Sequence, residues 1–176
     1  MANIDTSVKF VSINIALLTI SDSRSENEDE SGDLLNERIT NFGHTVQKRL
    51  IIKEDVELVK QTFLALSNDP IIDVIISTGG TGLTGRDSTP EAVMAIADKT
   101  IDGFGELFRQ LSFKKIATST IQSRAIGAVV NGTYIFCLPG SPNACKDGWD
   151  DLLKYQLDIR HRPCNFIEIM SRLNEK

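Results

Sequence analysis

The chain has 176 residues, 41% of them hydrophobic and 24% charged, the profile of an ordinary folded protein, which excludes collagen, coiled coil and wholesale disorder. That length predicts one domain over residues 1–176, with a core large enough to need no disulfide or metal staple. The net charge is −5, and residues 22–33, with six acids and one base, account for all of it; no domain-wide basic surface remains, and nucleic acid is not expected as a partner.

The first apolar stretch, 13–20, reads as a strand buried on both faces. It has no basic cluster before it and is too short to cross a bilayer, so no membrane association is expected. The acidic run 26–30 reads as a solvated loop. Ser31 then fits as the cap of a helix carrying Leu34, Leu35 and Ile39, closed by Gly43. A second strand is predicted over 45–51. A second helix carries Val56, Val59, Phe63, Leu64 and Leu66 and stops at Asn68-Asp69-Pro70. A third buried strand is predicted over 71–78. Strand, helix, strand, helix, strand is the order of a parallel sheet with right-handed crossovers. Thr89-Pro90-Glu91 has the chemistry of a helix start. A further helix is expected over 106–113. The runs 126–130 and 134–138 flank Asn131-Gly132, a hairpin signal that adds an antiparallel strand. Pro139-Gly140-Ser141-Pro142 turns the chain into a last helix through Trp149, and the tail from residue 159 reads as irregular. The predicted fold is a three-layer αβα sandwich around a mostly parallel sheet.

In such sheets ligands bind beyond the carboxyl ends of the strands. Three strand ends carry small and hydroxyl residues: Ser21-Asp22-Ser23, Gly79-Gly80-Thr81-Gly82, and Pro139-Gly140-Ser141. Glycines let backbone N–H groups approach phosphate oxygens, and hydroxyls add donors; a plain tight turn would also use glycine. Gly80-x-Gly82-x-x-Gly85 matches the dinucleotide fingerprint formally, but the helix start is delayed to Pro90, which argues against that reading. An aspartate beside phosphate-binding amides repels phosphate unless a cation bridges them, so Asp87 is a candidate Mg²⁺ ligand or catalytic group; its alternative is a helix N-terminal acid. Glu54 and Asp55 could add a second carboxylate, or simply open the second helix. Ser119, Ser123 and Arg124 form a polar cluster in which Arg124 could hold an anion or lie idle on the surface. Trp149 reads as core. Three cysteines without a C-x-x-C pair and only two histidines argue against structural zinc and for a reducing, cytoplasmic setting.

These motifs, together with Arg86-Asp87-Ser88-Thr89-Pro90-Glu91 and Gly103-Phe104-Gly105-Glu106, recur in order in a known family. The chain resembles the molybdenum cofactor biosynthesis proteins of the MogA and MoaB type, which share the domain with gephyrin. The resemblance covers about residues 12–165, and the stretch around Leu111-Ser112-Phe113 and the ending Arg162-Pro163-Cys164-Asn165-Phe166 resemble the MoaB branch. It implies molybdopterin as ligand, and homo-oligomers that are hexamers of paired trimers or single trimers. It implies adenylylation of molybdopterin by ATP with Mg²⁺, or a molybdopterin-binding scaffold role without turnover, alongside other proteins of the pathway. By the same resemblance Gly79 to Gly82 cradle phosphate, Asp87 serves the metal or the reaction, and the loop of Ser141 lines the site. Active members have an aspartate where this chain has Glu54.

Overall fold

The computed structural model describes residues 3–175. Six strands form the main sheet in the order β3-β2-β4-β7-β6-β5. Its parallel half is built from β2 (Asn14–Ile20), β3 (Thr45–Ile52), β4 (Val74–Thr78) and β7 (Thr133–Leu138). β6 (Ile126–Val130) returns antiparallel to β7, and the two-residue β5 (Lys99–Thr100) pairs with β6. The hairpin joining β6 to β7 has positive φ at both Asn131 and Gly132, as a turn matched to strand twist requires.

Alternation along the buried strands divides the core in two. Ile15 and Leu17 of β2 face one side, with Leu35 and Ile39 of α1 (Glu30–Phe42), Phe104 and Phe108 of α4 (Asp102–Ile116), and Trp149 beyond α5 (Pro142–Gly148). Ala16, Leu18 and Ile20 face the other, with Val59, Phe63 and Leu66 of α2 (Val56–Ser67) and Ala92 and Val93 of α3 (Thr89–Met94). Helices therefore cover both faces, giving three layers. Each fully buried Leu, Ile or Phe contributes roughly 1.5–3 kcal/mol, which is why strands apolar on both faces sit at the centre.

Several boundaries differ from the sequence reading. Asp29, not Ser31, caps α1: its side chain accepts from Gly32 N, while Ser31 lies inside the helix. Nor is Asp29 solvated, being fully buried. It also accepts from Thr19 Oγ1 at 2.8 Å and Arg49 Nη2 at 2.8 Å, partners remote in sequence. β4 begins at Val74 rather than residue 71, because Asp69 turns the chain by accepting from the amides of Ile71 and Ile72. α4 starts at Asp102, four residues ahead of expectation. Its Gly105 lies so close to Ala125 O that a Cβ would approach to 2.5 Å; the low helix propensity of glycine is overridden by packing. The tail is ordered: β8 (His161–Arg162) pairs with β1 (Asn3–Ile4), α6 (Lys154–Gln156) precedes it, and α7 (Phe166–Ile169) follows.

Candidate functional site

The three loops after β2, β4 and β7 meet at one edge of the sheet and enclose a cleft of about 650 Å³. Gly79 joins two of them, donating its N–H to Leu138 O at 3.0 Å. Its φ is +103°, and a Cβ there would sit 2.1 Å from Ile20 O, so only glycine fits. Thr78 Oγ1 donates to Pro139 O at 3.0 Å and ties the third loop to the same strand end.

The glycine loop is organised by its carbonyls. Thr89 takes two of them, through Oγ1 to Gly79 O at 3.1 Å and through N to Gly80 O at 3.0 Å. Arg124 takes the next two, through N to Thr81 O at 3.3 Å and through Nε to Gly82 O at 2.7 Å. The amides of Gly80 and Thr81 have no acceptor among the described residues. Buried backbone donors normally find partners. Free amides in a cleft wall are suited to an anionic ligand.

One rim of the cleft is acidic. Asp87 Oδ2 accepts from Thr84 N at 2.9 Å and Thr84 Oγ1 at 2.6 Å. Burial opposes its ionisation most, but the bonds from Thr84 and Gly82 and the charge of Arg124 prevail, and the carboxyl lies below its ordinary value. Glu54 behaves in the opposite way. Burial raises its pKa first, and the charges of Asp22 and Asp87 raise it further against the pull of Arg86. Asp22 lies on the same rim, accepting from Glu54 N at 3.1 Å and pairing with Arg86. Like charges crowded in this way favour a cation. Among the described residues no group of three or more His, Cys, Asp or Glu is placed to hold a metal. Glu54 and Asp87 both line the cleft, and one or two carboxylates, with water and phosphate completing the shell, are the donor set that a Mg²⁺ takes.

Most of the predicted site residues come together here. Ser21, Ser23, Glu54, Gly79, Gly80, Thr81, Gly82, Asp87, Ser123, Pro139, Gly140 and Ser141 line the cleft. Ser21 Oγ accepts from the amides of Ser23 and Arg24 at 3.3 Å, and Ser141 caps α5 by accepting from Ala144 N. Asp22 holds the rim from outside the lining. Ser119 is not brought to the cleft; it is exposed on a short 3₁₀ turn, Ala117–Gln122, and Gln122 lines the wall instead. Arg124 also stands behind the wall, with Nη2 donating to Asp87 O at 2.7 Å and Nη1 paired with Glu91. Its guanidinium clamps the loop rather than facing the ligand space. The sequence reading missed Phe108, Ser112 and Ile116, which form the apolar wall. They lie four residues apart on one face of α4, a spacing that could have revealed them. It also missed Arg24, whose one available signal was a lone base among acids.

A doubly covered α/β sheet with free loop amides, hydroxyls and carboxylates at its strand ends is the class of arrangement suited to phosphate-bearing ligands. Comparison with known proteins narrows the class. Residues 16–159 match the model of a family described as the probable molybdopterin binding domain. Molybdenum cofactor biosynthesis protein B of Escherichia coli (strain K12) is 44% identical over 160 residues, 91% of this chain and 94% of that protein. A crystal structure of molybdenum cofactor biosynthesis protein B matches with a TM-score of 0.84 at 38% identity, over 94% of this chain and 98% of that one. The tungsten cofactor synthesizing protein MoaB from Pyrococcus furiosus matches with a TM-score of 0.69 at 33% identity, over 80% and 90% of the two chains. The chain belongs to this molybdenum cofactor biosynthesis family.

Proposed function

We propose that this protein binds molybdopterin in the cleft and adenylylates it with Mg-ATP, releasing pyrophosphate. The observation that carries the reading is the meeting of unpartnered loop amides with Glu54 and Asp87 across one cleft. An oxygen of molybdopterin's terminal phosphate attacks the α-phosphorus of ATP. The new P–O bond forms as the bond from the α-phosphorus to pyrophosphate breaks, and pyrophosphate leaves with the electron pair. The nucleophile is already ionised, so no base is required, and positioning and charge stabilisation supply the catalysis.

In this scheme the amides of Gly80 and Thr81 hold phosphate oxygens, and the hydroxyls of Ser21, Ser23 and Ser141 orient the ligand. Phe108 and Ile116 supply the apolar wall. Asp87, kept ionised by Thr84, and Glu54 would hold Mg²⁺, which when bound neutralises charge on the nucleotide phosphates. The test is pyrophosphate release from ATP with molybdopterin and Mg²⁺, beside a control without molybdopterin. Release that requires molybdopterin supports the transferase; binding without release moves the protein to the second reading.

That second reading is a molybdopterin-binding scaffold of the same pathway, working with its other proteins. It is favoured by Glu54 standing where the resemblance puts an aspartate. A longer side chain displaces a bound ion by about an ångström, and such displacements cost about 100-fold in rate. Activity gained by Glu54→Asp supports this reading, and an active wild type removes it.

We also propose one cytoplasmic domain over residues 1–176 that assembles as a hexamer of paired trimers, with the single trimer as the smaller alternative. Leu83, Phe113 and Ile121, exposed by 67%, 56% and 83% and each next in sequence to a residue lining the cleft, support an oligomer. Light scattering that returns a monomer mass at micromolar concentration would overturn it. Among the described residues no helix is long and apolar enough to cross a membrane.

A further inference from the structure

Three arginines surround the loops of the cleft, and their partners separate their roles. Arg86 is largely exposed and paired with Asp22, and it donates to Glu54 O at 3.3 Å. Arg124 has all three guanidinium nitrogens engaged, by Gly82 O, Asp87 O and Glu91. Neither lines the cleft, and Arg24 is the one basic side chain among the described residues that does.

Arg24 is set into its wall from behind. Nη2 donates to Gly140 O at 2.8 Å, and Nη1 lies 3.8 Å from Asp29 Oδ1. Asp29 is fully buried and has its own partners in Thr19, Gly32 and Arg49. It therefore orients Arg24 by charge without consuming its hydrogen bonds. A guanidinium carries five N–H donors, and here one is committed to Gly140 while the side chain keeps 28% of its surface exposed. A planar, permanently charged fork held in the wall of this cleft is suited to a phosphate oxygen.

We propose that Arg24 is the anion-recognising residue of the cleft, binding a phosphate group of the ligand from the Gly140 wall, with Asp29 as its buried positioning partner. The inference rests on reading the cleft as a phosphate-ester site, and it does not require adenylyl transfer. The phosphate could belong to the nucleotide or to the pterin, and the experiment separates the two.

Calorimetric titration of the full chain with inorganic pyrophosphate, ATP and molybdopterin, for wild type and variants, tests it. Arg24→Gln is expected to weaken pyrophosphate binding by about tenfold or more, the loss typical of a charge-assisted contact. Arg24→Lys should recover part of that affinity, since charge is kept while the fork is lost. Asp29 retains three partners in both variants, so the fold should survive; thermal melts verify this.

Ser31→Ala separates recognition from loop anchoring, because Ser31 Oγ donates to the same Gly140 O at 2.8 Å. Its affinity should fall less than that of Arg24→Gln, because Gly140 O keeps Arg24 Nη2 as a donor and the charge stays in the cleft. Equal losses in Arg24→Gln and Ser31→Ala, or no loss in Arg24→Gln, would overturn the proposal. Loss confined to ATP assigns Arg24 to the nucleotide phosphates, and loss confined to molybdopterin assigns it to the pterin phosphate. Arg24-dependent binding in a protein that releases no pyrophosphate breaks the transferase reading and leaves this inference standing.

Discussion

The two ends of the parallel strands treat polar groups in opposite ways. At the carboxyl end Asp22, Glu54, Asp87 and Arg86 crowd one wet rim. At the amino end His44 is buried, 3% exposed, among Phe10, Phe42 and Trp149, whose ring centroids lie 5.1, 5.4 and 6.2 Å from its own. Its Nδ1 accepts from Ile13 N at 3.4 Å, and its Nε2 has no partner among the described residues. Burial pushes its pKa down to about 4 against the opposing charge of Asp158 and the backbone of Leu157. The rim shows a related contrast between neighbours: against its burial, the bonds from Thr84 keep the Asp87 carboxyl below its ordinary value, while burial and the charges of Asp22 and Asp87 raise that of Glu54, whose carboxylate has no hydrogen bond among the described residues. Hydrogen-bond partners favour the charged form, and burial opposes it. One end is built for packing and the other for ligand charge, so substitutions should separate stability from function.

The largest effect belongs to the packed end. Trp149→Ala should cost about 3–5 kcal/mol of stability, the range for emptying a large aromatic site, read as a shift in denaturant midpoint at constant m-value. Ligand affinity of the surviving folded fraction should match wild type; a cleft that loses affinity in step would break the separation. The next effect belongs to the rim. On the proposed transferase reading, Asp87→Asn should lower pyrophosphate release about 100-fold, equivalent to about 2.7 kcal/mol in the barrier, with an unchanged melting curve. Asparagine keeps an acceptor for Thr84, so the loop should stand while the charge goes. Full activity in this variant would remove Asp87 from the reaction.

That contrast was only half visible in the sequence. The loops at the carboxyl end are local motifs: Gly79 to Gly82 and Ser21 to Ser23 follow apolar runs directly, and strand order brings them together without further information. Helices α1 and α2 and the β6–β7 hairpin were legible for the same reason, from apolar spacing and Asn131-Gly132. Asp29 was not legible, because its burial depends on Thr19 and Arg49, ten and twenty residues away. Arg124 is legible as a neighbour of the glycine loop, but the engagement of its guanidinium there is not. A basic residue beside a glycine loop looks like an anion contact until the carbonyls of Gly82 and Asp87 are seen to occupy it. Ser119 lay beside Ser123 in sequence, yet the 3₁₀ turn carries it to solvent. The pairing of β8 with β1 joins segments more than 150 residues apart and leaves no local trace.

The packed end should also show in the pH dependence of folding. A histidine at about 4 in the folded state, against an ordinary 6.5 when unfolded, is buried neutral, so the unfolded chain binds its proton first. Stability is therefore complete above 6.5 and falls as pH drops toward 4. His44→Asn keeps an acceptor for Ile13 N and cannot titrate, so it should flatten that limb relative to wild type. The carboxylates held below their ordinary values, Asp158 among them, lose their stabilisation at lower pH and leave a slope in both proteins. Identical curves would mean that His44 has found a partner and carries charge.

The smallest effect tests whether the floor of the cleft is as rigid as the packed end. Cys137 and Cys145 are fully buried, and burial pushes their thiols up to about 12 and about 11; Cys164 is exposed. Alkylation at neutral pH should modify one thiol per folded chain quickly, and all three after denaturation. Cys145 is the sensitive probe, because its Sγ lies 3.0 Å from Thr78 Oγ1 and 3.4 Å from Pro139 O, directly beneath the third loop. A second thiol reacting in the folded protein would mean that this loop lifts from β4. The cleft would then be assembled by its ligand, and the rim would depend on binding for the order that packing already gives the opposite end.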